Sequence, residues 1–282
     1  MKLFPAGVTM DFFQVFILSL IQGITEFLPI SSSGHLILLP ELTDWPDQGL
    51  LMDVSVHVGT LLAVLLYFWR DTKGLTLGFF ATLGIRPAKM AVRGTLYDRL
   101  FMVIVVATLP VVGFGYLIKT MDWNDPMRNA TVIGITSIVF GLLLYVVDQK
   151  CERRRGVENV GIKEGLFMGF AQAIALIPGT SRSGITMTAG RYLGMRREDA
   201  ARFSMLMAIP TILAAGTLLI KDALEAGYND TISDALIGGT TSFIVALLAI
   251  HFLMQWLKQA SMTIFVIYRV ALGAGLLYWV YG

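Results

Sequence analysis

Two short polar stretches stand out in this chain. The first, Glu26-Phe27-Leu28-Pro29-Ile30-Ser31-Ser32-Ser33-Gly34-His35, carries a carboxylate, three hydroxyls and an imidazole. The second, Thr180-Ser181-Arg182-Ser183-Gly184, carries three hydroxyls and a guanidinium. Together they suit a phosphate. Ser- and Gly-rich turns that lead into helices present backbone N–H groups and the positive end of a helix dipole. Arg182 adds a planar fork of donors matched to phosphate oxygens. A hydroxyl near an imidazole is an activatable nucleophile, and Ser32 and His35 share a face if their segment is helical.

These residues must be positioned by an unusual scaffold. The chain has 282 residues, 55% of them hydrophobic and only 15% charged. Its mean hydropathy is +0.69. A soluble domain runs nearer a quarter charged, so an ordinary cytosolic domain and a disordered chain are both excluded. A net charge of +2 leaves no basic face for nucleic acid. The single cysteine, Cys151, excludes a disulfide scaffold and a multi-thiolate metal site. What fits is an all-α polytopic membrane protein, a single membrane domain over residues 1–282.

Six segments are long and apolar enough to span: 50–69, 101–118, 131–147, 203–220, 235–257 and 262–281. Only two carry a formal charge, Asp53 in the first and Arg269 in the last. The apolar run 12–21 is too short to span, lacks a small-x-small cleavage site after it, and is expected to be retained. Lys and Arg collect in alternate loops: Arg70 to Arg99, Lys150 to Lys163, Arg191 to Arg202, and Lys258. The other loops are acidic, with Glu41, Asp44 and Asp47, then Asp122 and Asp125, then Asp222, Glu225, Asp230 and Asp234. Because basic loops stay cytoplasmic, this alternation puts both termini on the non-cytoplasmic side.

Segments 12–39 and 164–190 do not fit a spanning helix. Each is apolar and then broken by Pro, Gly and Ser, and each must enter and leave on one side for the alternation to survive. They are expected to be re-entrant helical hairpins, allowed at membrane depth where they are buried in protein or line a wet cavity. Gln22 and Gly34 match Gln172 and Gly184 at an offset of 150 residues, and Gly59-Thr60-Leu61-Leu62-Ala63 resembles Pro210-Thr211-Ile212-Leu213-Ala214. The chain thus reads as two repeats, about 10–148 and about 160–282, each a hairpin followed by three spans. Three is odd, so the repeats are expected to be inverted, with their broken helices meeting near the midplane. A charge at that depth costs at least ~2.5 kcal/mol, so Glu26 and Arg182 must be functional or lock the hairpins as an ion pair.

The stretch Gln22-Gly23-Ile24-Thr25-Glu26-Phe27-Leu28-Pro29-Ile30-Ser31-Ser32-Ser33-Gly34-His35 resembles the first signature of the bacterial undecaprenyl-diphosphate phosphatases of the bacitracin-resistance type. Pro178-Gly179-Thr180-Ser181-Arg182-Ser183-Gly184 resembles their second. The likeness covers nearly the whole chain. It implies an integral enzyme of the bacterial inner membrane that cleaves a C55 polyprenyl diphosphate to the monophosphate and inorganic phosphate, recycling the lipid carrier of cell-wall synthesis. By the same resemblance, Glu26 is the acidic catalytic and cation-binding residue, Ser32 the nucleophile, His35 the general base or acid, and Arg182 the diphosphate ligand. Gln22, Ser31, Ser33, Gly34, Thr180, Ser181, Ser183 and Gly184 are the substrate-binding residues around them. A divalent cation, Mg²⁺ or Ca²⁺, is expected at Glu26. Gln22 stands where many members carry a second Glu, which speaks against a two-carboxylate metal site.

Direct attack by water, or by His35, remains open beside attack by Ser32. A polyprenyl-phosphate flippase or secondary transporter is the rival function, since inverted repeats with broken helices also build carriers. A scaffold role explains none of the buried polar residues. The expected partners are the polyprenyl diphosphate and membrane lipids, with no nucleic acid; a homodimer is admitted. Asp53 and His57, four apart on one helix face, either extend the site or pack helices. Arg269, beside Tyr268, is a candidate partner for a site carboxylate, and His251 reads as structural. Trp45, Trp69, Trp123, Trp256 and Trp279 read as interfacial anchors.

Overall fold

The structure, a computed structural model, describes residues 10–43, 45, 49–121, 124–225 and 232–282. Asp44, Asp47, Asp122, Trp123 and Asp230 lie outside the described residues. Apart from one isolated bridge between Arg155 and Met195, the regular structure described is helical.

The two broken segments fold as expected from their composition. Helix α1 (Phe12–Thr25) opens on a capping box, in which the Asp11 carboxylate accepts from Gln14 N–H at 2.7 Å and the Gln14 side chain accepts from Asp11 N–H at 3.1 Å. Its 14 residues reach about 21 Å, well short of a bilayer core. The chain then turns through Pro29 and resumes as α2 (Ser32–Leu42). Five of the long helices follow the same logic of apolar length: α6 (Tyr97–Thr120), then, past the four-residue α7 (Asn124–Met127), α8 (Ala130–Lys150), α11 (Arg197–Glu225), α12 (Ile232–Gln259) and α13 (Thr263–Tyr281) all contain windows long and apolar enough to cross a membrane. The second broken segment gives α9 (Ile162–Ile174) and α10 (Arg182–Tyr192).

The sixth expected span, 50–69, coincides with a helix, and it counts as a crossing together with the helix that follows it. Helix α3 (Gly49–Tyr67) ends at Phe68 and the chain bends by 94° into α4 (Trp69–Thr82). The 19 residues of α3 cover about 28 Å, close to the thickness of a bilayer core, and α4 turns away at its end. What reads in sequence as a basic loop after residue 69 is therefore helical, through α4 and the short α5 (Arg86–Val92). Gly74 and Gly78 let α4 lie flat against Tyr97 and Phe101 of α6. Asp71, buried on that same face, accepts from Tyr97 Oη at 2.9 Å and from Arg202 Nε at 3.0 Å, while Arg70 and Lys73 are exposed. Helix propensity and packing on α6 override the polar composition here.

The packing is reciprocal between the two halves. α1 lies on α12, and α9 lies on α6. Ser242 donates to the carbonyl of Ser19, and Gly23 abuts Val245, so α1 and α12 run parallel. Gly165 meets Val103 and Gly169 meets Ala107, so α9 and α6 also run parallel. Ser55 donates to the carbonyl of Ala235 and Gly59 abuts Gly239, which makes α3 parallel to α12. Gly134 abuts Gly273, and Thr131 reaches Tyr281 at 3.3 Å, which makes α8 antiparallel to α13. Small residues at these crossings let backbones approach without side chains between them.

One polar knot ties the end of α8 to three other helices. Asp148 is fully buried and accepts from Arg197 Nη2 at 2.7 Å, Arg191 Nε at 3.1 Å and Met262 N–H at 3.2 Å. Arg191 is also fully buried, and it donates to the carbonyls of Cys151 and Glu152. Removing one member of such a buried set strands the others, at about 3–5 kcal/mol. Asp148→Ala is therefore expected to lower the thermal unfolding midpoint of the detergent-purified protein sharply, and far more than Glu152→Ala at its exposed neighbour.

Candidate active site

Each hairpin tip is built on the same backbone device. Ser31 caps α2 with φ 76° and ψ 91°, and Ser181 caps α10 with φ 69° and ψ 111°. They are the two non-glycine residues at positive φ among the described residues. Such backbone costs on the order of 1–3 kcal/mol and persists where surroundings enforce it, commonly at functional sites. Each cap hydroxyl accepts from the N–H three residues on, Gly34 at 3.3 Å and Gly184 at 3.1 Å. Each also approaches the next-but-one serine, Ser33 at 3.5 Å and Ser183 at 3.2 Å. The first N–H groups of α2 and α10 have no partner within their helices.

The tips meet. Ser183 Oγ donates to the carbonyl of Leu28 at 2.9 Å, and a Cβ on Gly34 would stand 3.6 Å from Gly179 Cα. Gly179 itself, at φ 83°, faces α8 so closely that a Cβ there would lie 2.7 Å from the Ile133 carbonyl oxygen. Across the junction, Arg182 Nη2 donates to Glu26 Oε1 at 2.6 Å. Arg182 also donates from Nη1 to the Ser204 carbonyl at 3.3 Å and stands over the Phe27 ring at 5.7 Å. The other carboxylate oxygen of Glu26 accepts from Ser32 Oγ at 2.7 Å and from Gln22 Nε2 at 3.1 Å. Glu26 thereby links the candidate nucleophile of one hairpin to the arginine of the other.

A cleft of about 210 Å³ opens on this junction. Glu26, Ser31, Ser32 and Ser33 line it from the first tip, and Ser181 and Arg182 from the second. Gln22, Thr180, Ser183 and Gly184 lie buried behind it, Gln22 with its amide oxygen unpartnered and Thr180 with its hydroxyl unpartnered.

His35 is elsewhere. Its Nδ1 donates back to the Ser31 carbonyl at 2.7 Å and its Nε2 accepts from Tyr268 Oη at 2.5 Å. Ser32, the first residue of α2, turns its hydroxyl to Glu26 instead, so the shared helix face does not bring hydroxyl and imidazole together. The imidazole that borders the cleft is His57 of α3. Its Nδ1 donates to the Asp53 carbonyl at 2.7 Å, which leaves Nε2 with the lone pair in the neutral ring. Arg269 departs from expectation too. It is fully buried, but its partners are the carbonyls of Gly179 at 3.0 Å and Thr180 at 2.8 Å rather than a carboxylate.

Some neighbours left little trace in sequence. Thr211 on α11 lines the cleft and accepts from Gln172 Nε2 at 3.2 Å, and its only signal was the repeat match with Thr60. The Ser204 carbonyl and the Tyr268 hydroxyl had no signal, because both act through contacts between distant segments. For a metal, the donor set is small. Among the described residues no group of three or more His, Cys, Asp or Glu side chains converges.

The sequence matches the family described as "Bacitracin resistance protein BacA" over residues 15–275. It is 46% identical to a protein of Erythrobacter litoralis named undecaprenyl-diphosphatase, over 95% of this chain and 99% of that one. Identically named proteins of Jannaschia sp. and Marinobacter nauticus are 46% and 47% identical, each over 95% of this chain and 98% of its own. A match of this length, carried by a chain whose two signature motifs fold into one cleft, places the protein in the bacitracin resistance protein BacA family.

Proposed function

We propose that the chain is an undecaprenyl-diphosphatase of the bacterial inner membrane, which releases inorganic phosphate from undecaprenyl diphosphate and so returns the lipid carrier to cell-wall synthesis and resists bacitracin. The observation that carries this reading is the linked set Ser32–Glu26–Arg182 across the two tips. A carrier needs groups that bind a phosphate, but it has no use for a hydroxyl held on a carboxylate.

In this mechanism Arg182 and the free N–H groups of both tips draw charge from the terminal phosphoryl group. Ser32 Oγ bonds to the terminal phosphorus while the bond from phosphorus to the bridging oxygen breaks, releasing undecaprenyl phosphate. The hydroxyl proton passes to Glu26, which stands at 2.7 Å. Water then attacks the phosphoserine, giving up a proton to His57 Nε2, and Ser32 leaves as the hydroxyl with the proton held on Glu26. The prenyl tail stays in lipid, where its methylenes remain out of water. Glu26 is the residue that would hold a Mg²⁺ or Ca²⁺ ion, with the unpartnered amide oxygen of Gln22 one helical turn before it and close to it in space. Such an ion would neutralise charge at the diphosphate.

The orientation follows from charge and packing together. α3 is parallel to α12 and α1 to α12, while α9 is parallel to α6. With α3 and α6 as consecutive crossings, α1 and α9 run in opposite directions, which supports hairpins that enter from opposite faces and an inverted repeat. The basic loops then face the cytoplasm, and both termini lie on the other side.

Three outcomes test these statements. In a phosphate-release assay on detergent-purified protein, Ser32→Ala and Arg182→Ala should each lower turnover on the order of 10³-fold or more while the protein stays folded; near-normal turnover in Ser32→Ala removes the serine mechanism. A chelator should suppress activity and added Mg²⁺ or Ca²⁺ restore it, whereas full activity in chelator removes the cation from the site. Cys151 should resist a membrane-impermeant thiol reagent in intact cells and react after lysis; labelling in intact cells reverses the orientation.

A further inference from the structure

Two adjacent residues of α13 grip the hairpin tips from behind the cleft, and no step above uses them. Tyr268 Oη donates to His35 Nε2 at 2.5 Å, with the rings stacked at 5.7 Å and 12°. A carbonyl oxygen can only accept, so His35 Nδ1 carries the proton it donates to the Ser31 carbonyl at 2.7 Å. On the other tip, Arg269 donates to the carbonyl of Thr180 at 2.8 Å. A trans peptide points its C=O and N–H in opposite directions. Drawing the Ser31 carbonyl back aims the N–H of Ser32 forward, and drawing the Thr180 carbonyl back does the same for the N–H of Ser181. Ser32 and Ser181 both line the cleft.

The charge balance agrees. Glu26 and Arg182 neutralise each other at 2.6 Å. Arg269 has no carboxylate partner among the described residues, and its Nε and Nη1 are buried without a hydrogen bond. A Cβ on Gly184 would sit 2.7 Å from that Nη1, so the guanidinium is packed directly against the first turn of α10. The resting tips hold one surplus positive charge in a low-dielectric setting, which the negative charge gathering on the phosphoryl oxygens in flight offsets.

We propose that Tyr268, through His35, and Arg269 are positioning residues: each holds one peptide of one hairpin tip, so that the N–H groups of Ser32 and Ser181 together receive the oxygens of the phosphoryl group in flight. Hydrogen bonds in series polarise one another, so the guanidinium behind Thr180 also strengthens the Ser181 donor. In this arrangement His35 supports the anion cradle rather than taking the proton of Ser32. The inference rests on reading the cleft as the phosphate site.

The experiment uses the purified full chain with undecaprenyl diphosphate as substrate and orthovanadate as a probe of the five-coordinate phosphoryl geometry. Arg269→Gln keeps a donor but removes the charge, and kcat should fall on the order of 100-fold with KM little changed. Tyr268→Phe, which deletes one hydroxyl, should lower kcat about tenfold. In both, orthovanadate should inhibit more weakly by a matching factor, because transition-state binding is what is lost. A fall in kcat with wild-type orthovanadate inhibition means only that less enzyme is folded, and it overturns the proposal; so does unchanged kcat in both variants. If Arg269→Gln fails to fold, Tyr268→Phe decides alone. Normal turnover in Ser32→Ala and Arg182→Ala would instead sink the phosphate site itself, leaving the two failures distinct.

Discussion

The contact between Glu26 and Arg182 is the constraint on which the rest of the structure depends. Two charges from segments 156 residues apart share a space walled by apolar helices. Each alone is expensive there, and the expense is relieved only when both hairpins are fully seated. The fold can be read as the means of seating them. α12 supports the first hairpin, α6 the second, and α8 and α13 close around the tips. The glycines at 23, 165 and 169 allow the hairpin arms to lie directly on backbone or short side chains, so a register shift in either arm would pull the pair apart.

The two tips share a backbone but divide the chemistry. Ser31 and Ser181 adopt nearly the same dihedral angles and cap their helices in the same way. At the same offset, however, Leu176 stands for Glu26, Arg182 for Ser32, and Ile185 for His35. One half thus contributes acid and hydroxyl, the other the cation. A symmetric pair of tips would have placed like charges face to face. The duplicated geometry gives two matched turns with open N–H groups, and the divergent side chains make their junction a directional site.

Much of this was legible in the sequence. Pro, Gly and Ser inside otherwise apolar runs marked the hairpins, because such residues break helices at fixed places. Continuous apolar length marked the long helices. The motif residues Glu26, Ser32, Ser181 and Arg182 do converge. The parts that were not legible depend on contacts no periodicity encodes. The i,i+3 rule placed His35 near Ser32, but a residue at the first helical position has freedom to turn its side chain away, and Glu26 captured that hydroxyl. The bend at Phe68 follows from the packing of Gly74 and Gly78 on α6, not from a local breaker. Arg269 found carbonyls rather than a carboxylate because the tip of the second hairpin presents its peptide oxygens to α13.

The knot around Asp148 bears on how such a molecule can be made. Its carboxylate is synthesised at the end of α8, whereas the guanidinium groups that satisfy it arrive 43 and 49 residues later. The return arm of the second hairpin is thus anchored from both of its ends: Arg182 holds the tip to Glu26, and Arg191 holds the base to Asp148 on α8. A chain that ends before Arg191 lacks both guanidinium partners of that buried acid, whose isolation is costly.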